Sequence, residues 1–153
     1  MAIVQAFCTS FKQQLLEGVH DFRAVFGNTF NVALYTEYAN LNSTTTTYTT
    51  EGEFVPVDSG EIIVGGYVAG GAALTNIGPT QYNLAGVCSF ESVTWTGQIA
   101  ARGALIYNTT PVHTYTNPAC IVLDFGVTRY TSNGTFTLNF PQITDLSAIV
   151  RIN

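Results

Sequence analysis

Ala101-Arg102-Gly103-Ala104-Leu105-Ile106-Tyr107-Asn108 is the stretch whose reading decides the fold class of this chain. Its alternation predicts a strand, with Ala101, Gly103, Leu105 and Tyr107 on one side and Arg102, Ala104, Ile106 and Asn108 on the other. Small residues adjoin large ones, and the lone Arg has no acid beside it, so the strand is built for packing rather than for chemistry. IVLDFG (121–126) and GTFTLNFP (134–141) share that character.

Working outward, strands are expected at 29–36, 62–64, 71–75, 87–96, 98–108, 120–125, 134–140 and 148–152, about eight in all, joined by turns. The alternation in 87–96 shifts phase between Phe90 and Val93, which predicts a bulge. Asn133-Gly134 predicts a hairpin turn between 127–130 and 135–140. One helix is expected, over about 11–17. Ser10 and Gln13 form its capping box, Phe11, Leu15, Leu16 and Val19 its apolar face, and Gly18 its stop. The class that follows is an all-β antiparallel sandwich with one short N-terminal helix, in a single domain over residues 1–153.

Two segments depart from the strand pattern. Residues 38–60 form a long connection with a Thr run, Thr44–Thr47, followed by Tyr48 and Phe54. Residues 65–71, GGYVAGG, are glycine-dense around Tyr67. A connection of that length is unusual inside a compact domain unless it has a function or its own structure. Paired glycines permit close backbone approach, and both segments are expected to lie against another chain. The long one is expected to be an assembly contact that becomes ordered on binding. Tyr38, Tyr48, Phe54 and Tyr67 are the candidate contact residues, since tyrosine supplies large contact area at little entropic cost.

Composition points the same way. Only 10% of residues are charged while 46% are hydrophobic, a surface poor in Lys and Glu that suits a subunit of an assembly. A net charge of −5, with five scattered cations, argues against nucleic acid, which needs clustered Lys and Arg. No apolar run reaches the length of a membrane span, and no secretory signal is recognisable. Three cysteines, Cys8, Cys88 and Cys120, are an odd number at long spacings, so neither a disulfide framework nor a zinc site is expected.

No catalytic set emerges. His20 and Asp21 are adjacent and so do not face each other on a helix or strand. His113 has no second His at ligand spacing, and Glu51 and Glu53 read as solvated loop acids. No enzyme activity, metal or cofactor is expected. Trp95, inside a strand, reads as core. Arg102 and Asp124 are lone charges in apolar strands; burying either unpaired is costly, so they are expected to pair across the sheet or to face solvent together.

FKQQLLEGVHDF (11–22), FNVALYT (30–36), GGYVAGGAAL (65–74), SVTWT (92–96), ARGALIYN (101–108), VLDFG (122–126), GTFTLNFP (134–141) and AIVRI (148–152) together resemble a family of small virion structural proteins of tailed bacteriophages. One departure is the stretch 55–64 after Gly52-Glu53-Phe54, which reads as an insertion. The resemblance implies a non-enzymatic particle component assembled in the host bacterial cytoplasm. Capsid cement or decoration on the outside of the shell comes first, with the major capsid protein and further copies of the chain as partners. A head–tail junction or tail component is the alternative within that class, and a receptor- or glycan-binding module on the virion surface is the alternative outside it.

Overall fold

The computed structural model describes residues 2–49, 60–110, 112–143 and 147–153. Its centre is a long antiparallel pair, β6 (Val93–Asn108) and β7 (Ala119–Leu138). Around it lie β1 (Ala6–Phe7), α1 (Thr9–Leu16), β2 (Phe30–Tyr35), β3 (Ala72–Ala73), β4 (Asn76–Tyr82), β5 (Ala85–Phe90) and β8 (Val150–Ile152). One sheet has the order β1-β7-β6-β2-β3 and the other β4-β5-β8, every pairing antiparallel. The fold is an all-β, sandwich-like arrangement with one short helix.

From Gly103 to Asn108, β6 is buried on both faces, because β2 and β7 flank it and other segments cover each side. On one side, the aromatic rings of Phe22 and Phe30 stack with centroids 4.5 Å apart, and both meet Phe90 of β5, which in turn meets Phe140. This aromatic column bonds the two sheets. On the other side, Tyr48 stacks on Tyr107 at 4.5 Å, and Trp95 is buried between Tyr67 and Phe136.

Several expectations are corrected. The phase shift at 90–93 is not a bulge: β5 ends at Phe90 in the small sheet and β6 begins at Val93 in the large one, so the chain crosses between layers there. Asn133-Gly134 is not a hairpin turn. Asn133 does take the left-handed conformation (φ 56°), but as a bulge inside the continuous β7, where the register slips between Gly97/Gly134 and Ile99/Thr131. Ile62–Val64 is not a strand; Ile62 only donates its amide to Leu34 O.

The helix begins two residues earlier than expected, with Cys8 at its N-cap and no side-chain cap, so Ser10 lies inside it. Its end is as read. Gly18 (φ 72°) donates to Leu15 O and Val19 to Gln14 O, the paired bonds of a left-handed glycine stop. Leu16 is 92% exposed, while Gln14 is buried in the place expected of an apolar residue.

Candidate functional site: a buried carboxylate beneath an apolar groove

The 60–71 segment is laid along the free edge of β2. Gly60 O accepts from Thr36 N, Ile62 N donates to Leu34 O, and the Tyr67 hydroxyl accepts from Leu34 N at 2.9 Å. Backbone groups that β3 leaves unpaired are thereby satisfied, which also blunts the sheet edge. The glycines allow the approach. A Cβ on Gly71 (φ 77°) would stand 1.8 Å from Val32 O, and one on Gly66 (φ 91°) 1.8 Å from Thr96 O. GGYVAGG thus lies against its own chain, at β2 and β6.

This segment closes over Glu61, which is 6% exposed. Glu61 Oε1 accepts from the Tyr67 hydroxyl at 2.6 Å and from Gly70 N at 2.7 Å, and Oε2 accepts from the Tyr48 hydroxyl at 2.6 Å. Tyr107 donates to Gly70 O at 2.6 Å, and the Tyr35 hydroxyl donates to Thr49 O. Burial, then the neighbouring Glu61 carboxylate, pushes the Tyr48 and Tyr67 phenols well above the usual tyrosine range, so both stay protonated donors. A buried carboxylate is tolerated when its oxygens are hydrogen-bonded, and here Tyr48 and the Tyr67–Gly70 turn converge on it.

The candidate contact residues are thus divided. Tyr67 is buried, and half-buried Tyr48 is turned onto Tyr107 and Glu61, so neither offers its ring as a surface anchor. Phe54 lies outside the described residues. Tyr38 is 45% exposed. Residues 38–49 of the long connection pack on the chain itself. Ala39 and Leu41 are fully buried, and backbone bonds tie Leu41 to Ala2 and Val4, Ser43 to Thr9, Thr46 to Ala119 and Tyr48 to Asn117.

Beside Tyr38 the surface is hollowed into two adjoining grooves. One is lined by Tyr38, Ile62, Ile63, Thr128 and the acids Glu37 and Glu61; the other by Gln98, Ile99 and Thr131; Val64, Ala100 and Tyr130 line both. Ile63 is 70% exposed and Tyr130 75%. Neither residue was singled out from the sequence, and nor was Glu61. An acid directly before Ile62-Ile63-Val64, with GGY following, was the available signal.

Arg102 pairs with Asp124 across β6 and β7. The register there sets Arg102 opposite Phe125–Thr128, a wide bulge bounded by Gly103/Asp124 and Ala101/Arg129. Asp124 Oδ1 also accepts from Gly126 N at 2.8 Å, so one carboxylate holds both the cation and the turn of the bulge.

A second polar cluster lies under α1. His20 Nε2 is 2.8 Å from Gln14 Oε1, and Nδ1 is 3.1 Å from Asn108 Nδ2. Asn108 donates from Nδ2 also to Asn28 Oδ1 and accepts from Thr110 N. This set is consistent only if Nδ1 accepts and Nε2–H donates, which fixes the neutral tautomer. Burial lowers the His20 pKa to about 4. His20 has Asn108 and Gln14 as partners rather than Asp21, which pairs with Arg23. Cys8, Cys88 and Cys120 are buried free thiols, with burial raising Cys8 to about 11 and Cys88 to about 12. His113 is exposed, and no cluster of metal-ligating residues occurs among the described residues. Comparison of the chain with protein families, with characterised proteins and with solved structures gives no match.

Proposed function

We propose that this chain is a non-enzymatic structural subunit of a bacteriophage particle that binds the outside of the shell as a cement or decoration protein, with the major capsid protein and neighbouring copies as partners. The observation that carries the reading is the exposed apolar groove formed by Tyr38, Ile63, Val64 and Tyr130. Grouped exposed apolar side chains rimmed by polar ones mark interaction sites, and Ile63 and Val64 belong to the segment whose Tyr67 and Gly70 bond Glu61. The sparse charge of the chain and the sequence resemblance to virion structural proteins supply the class of partner.

The test is reconstitution. Particles stripped of this protein are incubated with the purified chain and sedimented. Saturable co-sedimentation, sensitive to protease added from outside, is expected. Binding only to isolated tails would move the chain to the head–tail or tail position, and binding only to host glycan would replace the structural role.

A further inference from the structure

The groove is acidic as well as apolar. Exposed Glu37 and buried Glu61 both line it, beside Tyr38, Ile63, Val64 and Tyr130. Among the described residues the salt bridges are Arg23–Asp21 and Arg102–Asp124, so neither groove acid is neutralised by a cation of its own chain. A carboxylate offers about four lone-pair positions. Among the described residues Glu61 accepts two bonds on Oε1 and one, from Tyr48, on Oε2.

We propose that this groove receives a lysine or arginine side chain presented by the shell protein. The aliphatic stem lies on Ile63 and Val64, between Tyr38 and Tyr130, and the cationic head is directed to exposed Glu37. Long basic side chains bury their methylenes on apolar surface while the head keeps polar partners, and tyrosine faces attract cations. A net charge of −5 adds long-range attraction towards a basic partner surface. The inference rests on the shell-binding reading above, and names the chemistry that reading needs at its contact.

The test has two arms. In the first, the isotopically labelled full chain is titrated with N-acetyl-arginine amide, with N-acetyl-citrulline amide as the uncharged control. Arginine amide is expected to shift the Ile63 and Val64 methyl resonances while the citrulline analogue does not, and Glu37→Gln to weaken the arginine titration about three-fold. Equal shifts with both compounds overturn the proposal. In the second arm, stripped particles are bound at two salt concentrations. Glu37→Gln is expected to reduce affinity about three-fold at low salt and to flatten the salt dependence. If Tyr130→Ala abolishes binding while Glu37→Gln and salt have no effect, the cationic contact is overturned and the shell reading stands. If the wild-type chain binds no shell yet titrates with arginine amide, the partner named here is overturned instead.

Discussion

The hydroxyl of Tyr67 accepts the backbone amide of Leu34 at 2.9 Å and donates to the carboxylate of Glu61 at 2.6 Å. One side chain thus completes the edge of β2 and satisfies a buried acid. Tyr67→Phe keeps the ring and leaves both partners short of a bond. Stability is expected to fall by about 1–3 kcal/mol, the cost of orphaned buried polar groups. Urea denaturation monitored at Trp95 measures it, and a loss under about 0.5 kcal/mol would show that water replaces the hydroxyl.

Neighbouring glycines should respond very unequally to the same change. Gly66→Ala sets a Cβ against Thr96 O in a left-handed backbone, whereas Gly65→Ala meets nothing within 4 Å. The first is expected to cost about 2–5 kcal/mol, from strain and overpacking together, and the second under about 1 kcal/mol. Thermal unfolding of both variants is the check; equal effects would mean that 65–71 does not lie on β6 as described.

Stability should fall with acid through His20. Its folded pKa of about 4 lies below the ordinary 6.5, so the unfolded chain binds the proton first as pH falls. The neutral ring's contribution is full above about pH 6.5 and is lost progressively down to about pH 4, by up to about 3 kcal/mol. A proton on Nδ1 would also face the Asn108 amide, donor against donor. Denaturation between pH 7.5 and 4.5 should show this loss in the wild-type chain and a flatter profile in His20→Gln. Parallel profiles would assign the acid sensitivity to carboxylates.

For Arg102 and Asp124, whose side chains are 25% and 26% exposed, a double-mutant cycle with Arg102→Met and Asp124→Asn is expected to give a coupling of about 1 kcal/mol. Asp124→Ala alone should cost more than Asp124→Asn, because the asparagine amide oxygen can still accept from Gly126 N whereas alanine leaves it without that partner. A coupling near zero would make the pair incidental to the bulge.

Strand patterning carried the reading furthest where one element did one thing. The alternation of 101–108, the run at 30–35 and the glycine stop after α1 are local signals, and local geometry answered them. Errors arose where two structures share one signal. A left-handed Asn followed by Gly serves a hairpin turn or a bulge equally, and only pairing along all of β7 separates them. A phase shift marks a bulge or a strand changing sheets, as at Phe90–Val93. Gln14 is absent from the apolar face read for the helix, because its burial depends on His20, six residues on. Glu61 was overlooked for the same reason. Its partners are Tyr48, Tyr67 and Gly70, and the folded chain alone brings them together.

A density map of intact particles carrying this chain tests the central claim most directly. The account predicts one copy after another on the outer face of the shell, with Tyr38, Ile63, Val64 and Tyr130 turned towards the capsid protein and a basic side chain of that protein entering beside Glu37. Finding the chain on the shell with those four residues facing solvent, or finding it only in the tail, would contradict it.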